Sequence, residues 1–132
     1  MANLKSFSDI HILIAEDNLV NQLLMRKIVE KIGFNADVVT NGVEVLNILE
    51  SNPNKYALIL MDLQMPELNG LDATREIVKL YGKNRPKIFA ISAGSFNDDQ
   101  SLYLEAGMDD SLDKPFKSDQ LVSMMEKHQL IA

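Results

Sequence analysis

An α/β domain built on a parallel sheet is the fold class this sequence predicts, on three observations. Apolar runs of about five or six residues alternate with longer segments of helical period, the signature of repeated βα units. Two of those runs, Ile12–Ile14 and Ala57–Met61, are nearly unbroken, as strands covered on both faces must be. The punctuation between the runs is that of helix caps.

Taken in order, the strands are expected near 10–15, 34–39, 57–61, 87–91 and 109–113. The second run, Phe34–Val39, is half polar and fits a sheet edge. Between the first two strands, Asn18 can cap a helix whose Val20, Leu24, Ile28 and Ile32 share a face, and Gly33 stands where a left-handed C-terminal residue is wanted. Asn41 with Glu44 reads as a capping box for the second helix, and Asn97 with Gln100 as one for the fourth. The third helix starts after Asn69-Gly70 and ends at Gly82, the fourth ends at Gly107, and Ser118 opens the last. Five βα units in one layered domain account for all 132 residues.

The formal net charge of −6 argues against direct binding to nucleic acid or an anionic membrane, which need a surplus of Lys and Arg on one face. With no cysteine, disulfides and thiolate metal sites are excluded, and a cytoplasmic setting is expected. Met1–Phe7 lacks the apolar stretch of a signal peptide, and the apolar runs are too short to cross a bilayer.

Chemistry concentrates where the apolar runs stop. Glu16-Asp17, Asp62, Ser92 and Lys114 each close a run, and in a parallel sheet the carboxyl ends of the strands open onto one crevice. Asp62 there can act as a nucleophile toward phosphorus if its charge is screened. Glu16 and Asp17 crowd it with like charge, which a hard divalent cation, Mg²⁺, would relieve. Lys114 and the Ser92 hydroxyl supply the ammonium and the hydrogen-bond donor that a phosphoryl group requires. No GxGxxG or GxxxxGK[ST] occurs, so the acidic first turn is not a nucleotide cradle.

Ala15-Glu16-Asp17-Asn18 with Asn21-Gln22, Leu60-Met61-Asp62 running on to Pro66 and Gly70 through Arg75, Ile91-Ser92-Ala93, and Ala106-Gly107-Met108-Asp109-Asp110 leading to Lys114-Pro115-Phe116 together resemble the receiver (response regulator) domain of two-component signalling. The Gln64-Met65-Pro66 and Gly107-Met108-Asp109-Asp110 segments are most similar to receivers of hybrid histidine kinases. The resemblance covers nearly the whole chain. It implies a single flavodoxin-like (CheY-like) doubly wound domain over residues 1–132, with a structured core over about 9–130 after an N-terminal extension, strand order 2-1-3-4-5 and five helices. It further implies that Asp62 is the phosphoacceptor, that Asp17, Asp62 and the main-chain carbonyl of Gln64 ligate Mg²⁺, and that Glu16 reaches the ion directly or through water. Ser92 would bind a phosphoryl oxygen and move with it, Lys114 would pair with the phosphoryl or the free carboxylate, and Lys114–Pro115 would be cis. Gln64 and Gly94 would line the approach of hydrolytic water. The implied partner is a histidine kinase or a histidine phosphotransfer protein, the parent a longer hybrid kinase, and the isolated domain no enzyme beyond its own phosphorylation and dephosphorylation. One position departs: three residues before the lysine, where receivers carry an aromatic that swings inward, this chain has Ser111.

Two other readings compete. A phosphatase of the haloacid dehalogenase type also attacks phosphorus with a strand-end aspartate, but places a second aspartate two residues on, where this chain has Gln64. A flavin-binding electron carrier on the same fold would set its cofactor phosphate against the acidic first loop. His11, inside a strand, and His128, near a helix end with no acid expected beside it, are read as structural, as are the methionines. Asp98 and Asp99 are read as helix-terminus charges.

Overall fold

Residues 11–15, 56–62 and 87–92 alternate between two apolar clusters, one on each side of a sheet, and this alternation organises the molecule. The structure, a computed structural model, describes residues 7–92 and 100–131. Among these, five parallel strands, β1 (His11–Ala15), β2 (Asn35–Val39), β3 (Tyr56–Asp62), β4 (Lys87–Ser92) and β5 (Asp110–Asp113), pair in the order β2-β1-β3-β4-β5. The helices are α1 (Leu19–Ile32), α2 (Gly42–Ser51), α3 (Gly70–Tyr81), α4 (Gln100–Ala106) and α5 (Ser118–Lys127). The expected flavodoxin-like, doubly wound topology is therefore the one observed. The half-polar Asn35–Val39 strand lies at an edge.

On one face, Ile12, Ile14, Leu58, Leu60, Phe89 and Ile91 meet Met25 and Val29 of α1 and Leu121 and Met125 of α5. On the other, Leu13, Ile59, Met61, Ile88 and Ala90 meet Val45 and Leu49 of α2, Ala73 and Ile77 of α3, and Tyr103 of α4. Each strand thus gives odd residues to one core and even residues to the other, which is why the sequence runs read as unbroken. Ahead of β1, a 3-10 turn at Phe7–Asp9 is packed down by the Phe7 ring, 4.8 Å from that of Phe34.

Several details differ from expectation. The buried stripe of α1 is Met25 and Val29, whereas Val20 and Leu24 are 64% and 51% exposed and share an outward face with Leu19 and Leu23. At α2, Asn41 accepts from the Glu44 amide, but the Glu44 carboxylate accepts from the amide and hydroxyl of Thr40, not from Asn41, so the box closes one residue early. At α5, Gln120 Oε1 accepts from the Lys117 amide at 2.7 Å, just ahead of Ser118. His128 is not isolated from acid: its Nε2 lies 2.8 Å from Asp110 Oδ2, which Lys127 Nζ also reaches at 3.2 Å. Gly33 is left-handed, with φ 117°, as its place after α1 demands. The expected box at Asn97, the acids Asp98 and Asp99, and Gly94 lie outside the described residues.

Candidate phosphoryl-accepting site

Register brings the polar strand ends together. Ala15 pairs with Met61, so Glu16 follows β1 where Asp62 ends β3. Asp62 pairs with Ile91, which places Ser92 one residue further along the neighbouring strand. Ser92 pairs with Asp113, and the next amide, Lys114 N, donates to Ser92 O at 2.6 Å. Four strands therefore deliver Glu16, Asp17, Asp62, Ser92 and Lys114 to one rim of the sheet.

A second constraint acts from α3. Gly70 N donates to Leu63 O at 3.2 Å, and a Cβ on Gly70 would stand 2.3 Å from Asp62 O. The first turn of α3 thus lies directly against the backbone of Asp62, an approach only glycine permits. Asn69 caps this helix by accepting from Asp72 N at 2.9 Å. The Asn69-Gly70 pair, read in the sequence as a helix start, also fixes the acid that precedes it.

Glu16 and Asp62 are both buried, and Lys114 stands between them. Its Nζ lies 2.6 Å from Glu16 Oε1 and 3.3 Å from Asp62 Oδ1. Glu16 Oε2 accepts from the Asn18 amide at 3.0 Å, and Asp62 Oδ1 from the Gln64 amide at 3.3 Å. Burial, followed by the charge of Glu16, raises the Asp62 pKa from 3.8 to about 6, against the opposing pull of Lys114. Burial acts on Glu16 in the same direction, but Lys114 and the Asn18 amide outweigh it and hold that carboxyl below its ordinary value. Lys114 is itself held above its ordinary value, since Glu16 and Asp62 outweigh its partial burial.

The donor set suits a hard cation. Glu16, Asp17 and Asp62 each present a carboxylate oxygen, all within 4.8 Å of one another. Glu16 Oε1 is buried, with the Lys114 ammonium as its partner at 2.6 Å. Asp17 is the exposed member, at the mouth. The expected cis peptide at Lys114–Pro115 is present. Gln64 is exposed next to Asp62. At Ser111, the position where this chain departs from the receiver pattern, the small side chain borders a cavity of about 510 Å³ that also touches Ser92, Tyr103 and Asp113.

Two contacts here were not legible in the sequence. One is the close approach of Gly70. The other is a hydrogen bond from Ser92 Oγ to Asp113 Oδ1 at 3.2 Å; an acid next to a candidate lysine reads as that lysine's partner, and only the strand register shows that it faces the serine instead.

Comparison with known proteins agrees with this geometry. A model of the response regulator receiver domain matches residues 12–126. The Aerobic respiration control sensor protein ArcB of Escherichia coli K12 is 37% identical over 119 residues, covering 89% of this chain; the chain spans 15% of that protein's length. The receiver domain of sensor histidine kinase PA1611 from Pseudomonas aeruginosa, solved with a magnesium ion coordinated in its active site cleft, superposes with a TM-score of 0.78 at 35% identity, covering 89% of this chain and 94% of that one. A co-crystal structure of the Saccharomyces cerevisiae phosphotransfer protein Ypd1 with the receiver domain of Ssk1 matches with a TM-score of 0.81 at 29% identity, covering 93% and 90%.

Proposed function

Since this chain belongs to the response regulator receiver domain family of two-component signalling, we propose that Asp62 is its phosphoacceptor, taking a phosphoryl group from a partner's phosphohistidine. The observation that carries this reading is the placement of Asp62: a buried carboxylate at the end of a central strand, gripped by Lys114 and crowded by two further acids. Glu16, Asp17, Asp62 and the main-chain carbonyl of Gln64 would hold Mg²⁺. When bound, the ion screens the acids and neutralises the phosphoryl oxygens.

In the transfer, a carboxylate oxygen of Asp62 forms the new bond to phosphorus. The bond from phosphorus to the donor imidazole nitrogen breaks, and that nitrogen keeps the electron pair. Lys114 already bridges Glu16 and Asp62, so it can turn its ammonium to the new phosphoryl oxygens without crossing the site. Ser92 offers its hydroxyl to another of those oxygens. The added charge draws both groups inward and shifts the domain between two conformations, which is how the relay is read. The isolated domain catalyses its own phosphorylation and dephosphorylation and turns over no external ester; Gln64, in place of a second aspartate, provides no acid-base group for one.

The donor would be a histidine kinase or a histidine phosphotransfer protein, in trans or within a longer hybrid kinase carrying this domain. Its docking surface is the outward face of α1, where Leu19, Val20, Leu23 and Leu24 are 51–68% exposed immediately after the Glu16-Asp17 turn. Among the described residues, no helix is long and apolar enough to cross a membrane. We place the domain in the cytoplasm.

The test is direct. Incubation with Mg²⁺ and a small phosphodonor should add one phosphoryl group by intact mass, and chelation of the metal or Asp62→Asn should prevent it. Retention of the modification in Asp62→Asn would overturn the assignment.

A further inference from the structure

The assignment of Asp62 makes Ser92 the hydroxyl that must meet the phosphoryl group, yet that hydroxyl is already engaged. Ser92 Oγ donates to Asp113 Oδ1 at 3.2 Å, across the last rung of the β4–β5 ladder. Ser92 is 4% exposed, whereas Asp113 stands in water. From this geometry, and resting on the reading of Asp62 above, we propose that Asp113 is a positioning residue that holds the Ser92 hydroxyl away from Asp62 until phosphorylation, and so sets the balance between the two states of the domain.

A serine hydroxyl has one proton to donate. It cannot serve the Asp113 carboxylate and a phosphoryl oxygen together, so the two contacts exclude each other. Each defines one state of a two-state element. Both acceptors are charged, but at 3.2 Å the contact with Asp113 is long for a charge-assisted bond, so the hold is a modest one that a phosphoryl oxygen can outcompete. On release the Asp113 carboxylate passes to water, which replaces the lost donor at little cost.

Binding of beryllofluoride with Mg²⁺, a phosphoryl-like ligand of the carboxylate, measures this balance without turnover. Asp113→Ala should bind it about fivefold more tightly than the unaltered domain, the effect of losing one charge-assisted hydrogen bond in the competing state. Asp113→Asn keeps an uncharged oxygen acceptor and should fall between. In a Ser92→Ala background, Asp113→Ala should change nothing, an outcome that a general structural or surface-charge role would not produce. Equal affinity of the Asp113→Ala and unaltered domains, or the same gain in the Ser92→Ala background, overturns the proposal while leaving Asp62 as the acceptor. Failure of the unaltered domain to bind overturns the site reading and this inference with it.

Discussion

At Asp62, two demands oppose each other. Removing a carboxylate from water beside Glu16 makes it a stronger base than an ordinary aspartate, which would favour the proposed attack on phosphorus. It also costs stability. The folded state binds the Asp62 proton more tightly than the unfolded state, so the domain loses stability as pH rises from 3.8 to about 6, and the loss persists above that window. Asp62→Asn should therefore stabilise the metal-free domain at pH 7.5 by on the order of 2 kcal/mol, with the gain vanishing below pH 4. Urea unfolding with a chelator across that range checks this, and a gain independent of pH would contradict it. Lys114 has the opposite role. Lys114→Ala leaves Glu16 and Asp62 buried without a counter-charge and should cost about 3 kcal/mol in chelator, of which added Mg²⁺ should restore a measurable part.

Among the elements, α3 and α1 make the sharpest cases. The first turn of α3 touches the backbone of Asp62, so Gly70→Ala should displace the helix, cost about 1–3 kcal/mol and slow phosphorylation by a small donor. A neighbouring exposed change such as Lys79→Ala should do neither, as unfolding and mass-gain assays on the two variants would show. On α1, Leu23→Ser with Leu24→Ser should leave stability and labelling by a small phosphodonor nearly unchanged, because both side chains are exposed. The same pair should slow transfer from a phosphohistidine protein by about tenfold, since the apolar contact would be worth about 1–2 kcal/mol. Helical period alone could not separate these roles. Val20, Leu24, Ile28 and Ile32 do lie along one side of α1, but only Ile28 and Ile32 of them pack against the core, beside the buried Met25 and Val29, while Val20 and Leu24 face outward. The central strands β1, β3 and β4 were legible because burial on both faces leaves few polar positions inside a run, whereas the edge strands β2 and β5 carry several. The polar ends were legible for the same reason, since a charge that interrupts such a run has to sit at its mouth. Pairings made across the sheet, Ser92 with Asp113 and His128 with Asp110, depend on register and leave no local mark in the sequence.

For the molecule as a whole, fold and site stand in mutual dependence. Two apolar cores hold five strands in register, and that register gathers acids that would otherwise repel one another. Because a cation that binds the folded acids has no comparable site in the unfolded chain, Mg²⁺ at a hundred times its dissociation constant should raise global stability by about 2.7 kcal/mol. Thermal unfolding with and without the ion should show this for the unaltered domain and much less for Asp17→Ala.

The hydrogen bond from Lys114 N to Ser92 O joins the main chains of the ammonium-bearing and hydroxyl-bearing residues just past the last rung between β4 and β5. Neither can be tugged without the other following. The outermost strand of the sheet is therefore tied at its carboxyl end to the crevice, so a displacement of that margin and a displacement of the Ser92 main chain go together.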